Sequence, residues 1–266
     1  MIGTFGAPAP LERLRRKITR GILNELKTSP SIVQTGSLDE LPPLAHPHRG
    51  KLWVRIVSGD GIRKTRLHNY KGEMVSLAGL WYLPHSLVTA AFRSWLVTRF
   101  AVPWIGWRAI KTISRLLRPE MNVLEFGSGM SSVWLARRCR QLVSIEHDAT
   151  WFSRMSERFR RAGIGNVSYL RRGEGNYVQL DGFPVGHFDF VLVDGIQRDR
   201  AVAAALPKVR SGGYLYLDNS DVTWNDYARA EKLLLEAARH GGRYWYFTDF
   251  FPGNVAVSQG LLVQLP

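Results

Sequence analysis

Cysteine is almost absent. Cys139 stands alone among 266 residues, which excludes an intramolecular disulfide framework and fits a reducing compartment. A secretory leader is not expected either: the first residues run into LERLRRKITR with no apolar stretch between, so a cytoplasmic protein is expected. An Arg-rich amphipathic start also occurs in organelle transit peptides, but Glu12 and Glu25 interrupt its basic face. Long uncharged runs are scarce. The longest, MVSLAGLWYLPHSLVTAAF at 74–92, reaches spanning length, yet Pro84 and His85 fall near its middle and Arg93 and Arg99 follow. That pattern suits a core-facing or interfacial segment rather than a transmembrane one. Internal repeats and low-complexity tracts are absent as well.

Acidic residues are the other shortage, and it is local. Residues 1–118 hold 19 Lys and Arg against 6 Asp and Glu, whereas residues 119–266 hold 17 against 16. Nearly all of the net charge of +14 therefore belongs to the first part. With 45% hydrophobic residues, the chain can bury a substantial core as one domain with an N-terminal extension.

In the first part, Leu11, Leu14, Ile18, Ile22 and Leu26 recur at three- and four-residue steps, which predicts a helix over 11–27 with a basic opposite face. Four prolines within 28–50 predict a loop. KLWVRIVS alternates like a strand, GDG at 59–61 is a hairpin-type turn, and IRKTRLHNY is its return strand. Residues 75–118 read as helical in pieces, broken at Pro84 and Pro103.

From 122 onward short apolar strands alternate with helical stretches. Strands are predicted at NVLEF, QLVSIE, VSYLRR, FDFVLVD and GYLYLDN, with helices near 131–140, 149–162, 199–209 and 224–239. This alternation implies a parallel sheet with helices on both faces. RYWYFTDFF, a Pro-Gly turn and QGLLVQL then follow without a helix between, and predict an antiparallel pair at the sheet edge.

NVLEFGSGMSS, 122–132, falls where the first strand meets the first helix. Gly127 and Gly129 permit a tight turn and close approach of a ligand, and the helix starting near Ser131 points free N–H groups at the same place. A dinucleotide turn would have glycine at the third position of G-x-G-x-x-G, but Ser132 stands there. Glu125, two residues before Gly127, would repel a pyrophosphate and suit a cationic amino or sulfonium group. Glu146 ends the second strand nineteen residues later, where a carboxylate accepts ribose hydroxyls. Glu174, Asp194 and the pair Asp218 and Asn219 with Asp221 end the third, fourth and fifth strands, at the edge where open α/β sheets bind ligands.

In this order, VLEFGSGMSS, VSIEHD, RRGEGNY, FDFVLVDG and SGGYLYLDNSD resemble the class I S-adenosylmethionine-dependent methyltransferases over about 101–266. The resemblance implies a Rossmann-like, doubly wound, seven-stranded and mostly parallel sheet with its last strand antiparallel, preceded by a basic extension at 1–100. It implies that Glu125, Gly127 and Gly129, with Ser128 and Ser131 in the same turn, hold the methionine part of the cofactor. Glu146 would take the ribose and Glu174 the adenine region. His147 and Asp148 either line the adenosine pocket or cap the next helix.

Asp194, Asp218 and Asn219 form a hard oxygen-donor set suited to Mg²⁺ or another divalent cation, similar to the triad of metal-dependent O-methyltransferases. The lysine base of that family is missing: Gln197 stands in its place, followed by Arg198. Without a metal, Asp194, Asp221 and His147 are the candidate bases. The segment after the fourth strand, VDGIQ, lacks the proline-aromatic signature of base-directed N-methyltransferases. An oxygen acceptor on a small molecule or saccharide is therefore expected. An RNA methyltransferase and a non-catalytic binding or scaffold protein are the alternatives. The basic, tryptophan-rich extension (Trp53, Trp81, Trp95, Trp104, Trp107) suits a lid over an acidic acceptor, peripheral contact with an anionic membrane, or, with least support, nucleic acid.

Overall fold

A computed structural model describes residues 63–96 and 101–266, the side chains of 94–96 excepted. The helix read at 11–27, the proline-rich loop, the strand at 51–58 and its turn lie outside the described residues. The return strand falls partly inside them, and 63–75 forms bends and turns there, with one isolated bridge between His68 and Met74.

Three helices precede the sheet: α1 (Leu77–Leu80), α2 (Leu83–Leu96) and α3 (Trp107–Leu116). Ser76 starts α1 by accepting the Gly79 N–H at 3.2 Å. Pro84 does not break a helix; it lies in the first turn of α2, where a missing N–H costs no hydrogen bond.

The sheet follows as β1 (Asn122–Phe126), α4 (Met130–Ala136), β2 (Gln141–Glu146), α5 (Ala149–Arg161), β3 (Val167–Arg171), β4 (Phe188–Val193), α6 (Arg198–Ala205), β5 (Val209–Leu217), α7 (Asn225–Ala238), β6 (Arg243–Phe250) and β7 (Val257–Gln264). Its order is β3-β2-β1-β4-β5-β7-β6. The strands from β1 to β5 pair in parallel, and β7 is antiparallel to both β5 and β6. The final pair thus inserts its last strand inward and leaves β6 at the edge.

Central strands read as unbroken apolar runs because both of their faces are covered. Successive residues go to opposite layers. Val123, Phe190, Leu192, Tyr216 and Leu262 pack with α3 and α4, whereas Leu124, Phe126, Val191, Leu215 and Val263 pack with α6 and α7. Val75 and Tyr82 share the first of these cores with Trp107, Phe247 and Phe250, so the described part of the N-terminal region joins the main core.

Buried polar contacts fix that union. Asp249 on β6 accepts the Arg108 N–H at 2.8 Å and its Nε at 3.0 Å. Glu231 accepts Lys71 Nζ at 2.7 Å and the Tyr246 hydroxyl at 2.6 Å. Removing one partner from such a buried pair costs more than the pair itself contributes, about 3–5 kcal/mol.

Candidate functional site

The chain winds outward in opposite directions from β1 and β4, so the crevice between their carboxyl ends is the switch point at which open α/β sheets bind ligands. The sheet ladder continues one residue into each loop. Gly127 N–H donates to Ile145 O at 2.9 Å, Asp194 N–H to Phe126 O at 2.9 Å and Asp218 N–H to Val193 O at 3.1 Å. Loop tips far apart in sequence are thereby set side by side.

A cleft of about 390 Å³ opens there, lined by Gly127–Ser131, Glu146–Asp148, Trp151, Asp194–Ile196 and Trp104. Gly127 adopts φ +89°, and a Cβ on it would lie 2.7 Å from Asp194 O and from Gly195 Cα. Only glycine fits against backbone that close. The close approach of these two loops forms the floor of the cleft.

Glu146 is nearly fully buried and is held at both oxygens. Oε2 accepts Ser128 N–H at 3.0 Å and Ser128 Oγ at 2.7 Å, and Oε1 accepts the N–H groups of His147 at 2.8 Å and Asp148 at 3.0 Å. The Ser128 hydroxyl is also 2.7 Å from the Tyr169 hydroxyl. Asp148 both lines the cleft and caps α5, accepting Trp151 N–H at 2.6 Å. That cap aims the Trp151 ring back over the turn, where Nε1 donates to Ser128 O at 2.7 Å. His147 lies on the same wall, its Nδ1 3.1 Å from Glu146 Oε1.

Other residues read from the sequence lie elsewhere. Glu125 is fully buried beneath the turn and not on the cleft wall: Oε2 accepts the Ser132 hydroxyl at 2.5 Å and the Ser144 hydroxyl at 2.7 Å. Burial pushes its carboxyl up to about 7. It therefore acts on the glycine turn from below, through Ser132, whose Oγ also receives Gly129 N–H at 2.9 Å. Glu174 is exposed on the turn after β3 and is away from the wall; its carbonyl accepts Gln197 Nε2 at 3.0 Å. Asp221 is sealed under the 63–75 segment, where it accepts Tyr70 N–H at 3.0 Å. A base buried in that way does not reach the cleft.

The expected metal set encloses a side chain. Asp194, Asp218 and Asn219 do converge, but the Arg198 guanidinium already stands among them, donating to Asp194 Oδ1 at 3.0 Å, to Asn219 Oδ1 at 3.2 Å and to the Asp218 carbonyl. Among the described residues no group of three or more His, Cys, Asp or Glu is arranged to hold a metal ion. The donors expected to ligate Mg²⁺ instead neutralise an arginine. Asp194 remains on the cleft wall, 29% exposed at its side chain. Burial raises its carboxyl above the usual range and Arg198 opposes that rise.

Sequence reasoning passed over Trp151, Tyr177, Tyr169 and Gly195 as site residues. Trp151 had a signal, since it follows the cap Asp148 by three residues. Tyr177 had none; it is fully buried and packs 6.0 Å from the His147 ring, edge to face.

No protein-family model and no curated protein matches the chain. It is similar in structure to the O-methyltransferase TomG from Streptomyces achromogenes, involved in tomaymycin synthesis and solved in complex with SAM: 19% identity, TM-score 0.49, 71% of this chain and 95% of that one. It is also similar to an rRNA methylase from Streptococcus thermophilus, with 14% identity and TM-score 0.43 over 57% of this chain and 91% of that one. For the YcgJ protein from Bacillus subtilis the values are 17% and 0.35, and 40% of this chain spans 47% of that one, under half its length. The fold assignment rests on the chain's own strand order: a Rossmann-like, doubly wound sheet of seven strands with its cleft at the switch point.

Proposed function

We propose that the chain is an S-adenosylmethionine-dependent methyltransferase acting on an oxygen of a small-molecule or saccharide acceptor. One observation carries the reading. In a chain of net charge +14, the described residues of the cleft wall include Glu146, Asp148 and Asp194 and not one lysine or arginine. Such a wall repels a pyrophosphate and favours a ligand that is cationic and bears a ribose. The missing third glycine, replaced by Ser132 bonded to Glu125, argues the same way.

The residues fit that cofactor. The glycine turn and the N-terminus of α4 would hold its methionine part, Glu146 its ribose and Trp151 its ring system. When bound, the cofactor supplies an electrophilic methyl group. The chain's own contribution is positioning, together with removal of the acceptor proton. Asp194, the wall carboxylate nearest β5, is the residue to take that proton, and burial raises its affinity for it. Trp104 adds an aromatic wall to the cleft from the N-terminal side. An oxygen acceptor is favoured because VDGIQ after β4 offers no proline-aromatic clamp for a nucleobase amine.

Calorimetric titration of the full chain with S-adenosylmethionine tests the cofactor. Micromolar binding is expected, with a loss of at least tenfold in Glu146→Ala; no heat with wild type would sink the proposal. Transfer of a labelled methyl group into an extract, fractionated into small molecules, glycans and RNA, tests the acceptor. Label confined to RNA, with binding that weakens steeply in salt, would replace the small acceptor by nucleic acid.

A further inference from the structure

Arg198 belongs to the first turn of α6, and its side chain is 5% exposed. Besides its bonds to Asp194, Asn219 and the Asp218 carbonyl, Nε donates to Gly195 O at 3.1 Å. The guanidinium carbon lies 4.5 Å over the Tyr227 ring. Two unusual backbone conformations surround it. Gln197, immediately before α6, and Asn219, immediately after Asp218, have φ +49° and +55°, the left-handed region that ordinary residues avoid. At Asn219 the turn brings Oδ1 onto the guanidinium. A charge this buried is tolerated only when paired and hydrogen-bonded, and here two loops and a helix supply its partners.

We infer that the Arg198 guanidinium is a permanent cation built into the place where Asp194, Asp218 and Asn219 would otherwise hold a divalent ion. The site therefore works without such an ion. Arg198 is a positioning residue: it holds the Asp194 carboxylate in place on the cleft wall. Its planar fork spans a side-chain carboxylate, an amide oxygen and two carbonyls at once, which a compact ammonium group does not match. Asp218 is nearly fully buried beside them. The cation assignment stands on the geometry alone; the part Asp194 plays in transfer rests on the function proposed above.

Mn²⁺ is the probe, followed by electron paramagnetic resonance and calorimetry on the full chain. Wild type is expected to bind no Mn²⁺ at this site at millimolar concentration. Arg198→Ala is expected to gain one site at least tenfold tighter than wild type, and Arg198→Ala/Asp218→Asn to lose it. Arg198→Lys, which restores a positive charge, is expected not to gain it. Should the alanine variant not fold, Arg198→Met keeps the stem over Tyr227 and is expected to behave the same way. One Mn²⁺ bound tightly by wild type and lost in Asp218→Asn would overturn the inference without any Arg198 variant. A folded Arg198→Ala or Arg198→Met with no gain would also overturn it. Titration of the same samples with S-adenosylmethionine separates the two readings. Absence of that binding alongside the Mn²⁺ gain would remove the methyltransferase and support the built-in cation.

Discussion

A Cβ on Gly195 would stand 1.9 Å from the Tyr177 hydroxyl and 3.0 Å from the Gly127 nitrogen. Tyr177 thus occupies the space a side chain at 195 would need, and the β4 loop drops onto the β1 loop because that space is taken from below. Gly195→Ala is expected to destabilise the fold by about 1–3 kcal/mol, the usual cost of overfilling a packed site. It should also weaken S-adenosylmethionine binding, because Gly195 lines the cleft. Tyr177→Phe removes the clashing oxygen. The double variant is expected to recover a large part of the lost thermal stability, while Tyr177→Phe alone costs little. Melting curves of the four proteins decide the matter; no recovery in the double variant would show that Tyr177 is not the obstacle.

Glu146 already receives four donors, which is about the capacity of a carboxylate. A ribose diol reaches it only by displacing one, and the Ser128 hydroxyl is the donor able to rotate away, since Tyr169 offers it a second partner. Ser128→Ala is therefore expected to bind S-adenosylmethionine as well as wild type or several-fold more tightly, whereas Glu146→Ala binds far more weakly. Isothermal titration of both variants checks this. A tenfold loss in Ser128→Ala would mean that the hydroxyl itself contacts the ligand.

How much of this was legible in the sequence differs by layer. The strands from β1 to β5 were plain because a strand covered on both faces must be apolar throughout, and NVLEF or FDFVLV leaves little choice. Glu146 was legible because its rim position follows from strand length. Glu125 shows the limit. A carboxylate two residues before Gly127 looks like a ligand group, and only the layer in which strand parity places it reveals that it points under the turn toward Ser132 and Ser144. The metal set shows a different limit. Asp194, Asp218 and Asn219 do come together, but the loop after β4 turns Arg198, the first residue of α6, back onto Asp194, and oxygen spacing alone does not reveal an internal cation. Asp221 looked available because its covering segment, 63–75, is remote in sequence.

Glu125 gives the clearest pH signature. Burial raises its carboxyl from 4.5 to about 7, so between those values the folded protein keeps a proton that the unfolded chain has released. Stability is then fully present below pH 4.5, falls as pH rises toward 7, and levels off above it. Asp249, raised by burial to about 6, slopes the same way, but it is unchanged in Glu125→Gln and cancels in the comparison. At about 1.4 kcal/mol per pKa unit, Glu125→Gln is expected to match wild type near pH 4 and to exceed it by up to about 3 kcal/mol at pH 8. The amide oxygen still accepts the Ser132 and Ser144 hydroxyls, so the turn should persist and S-adenosylmethionine affinity should stay within a few-fold. Urea unfolding of both proteins from pH 4 to 8 measures the difference. A difference independent of pH would show that Glu125 is not the titrating group. An affinity lost while stability rises would return Glu125 to the ligand's first contacts.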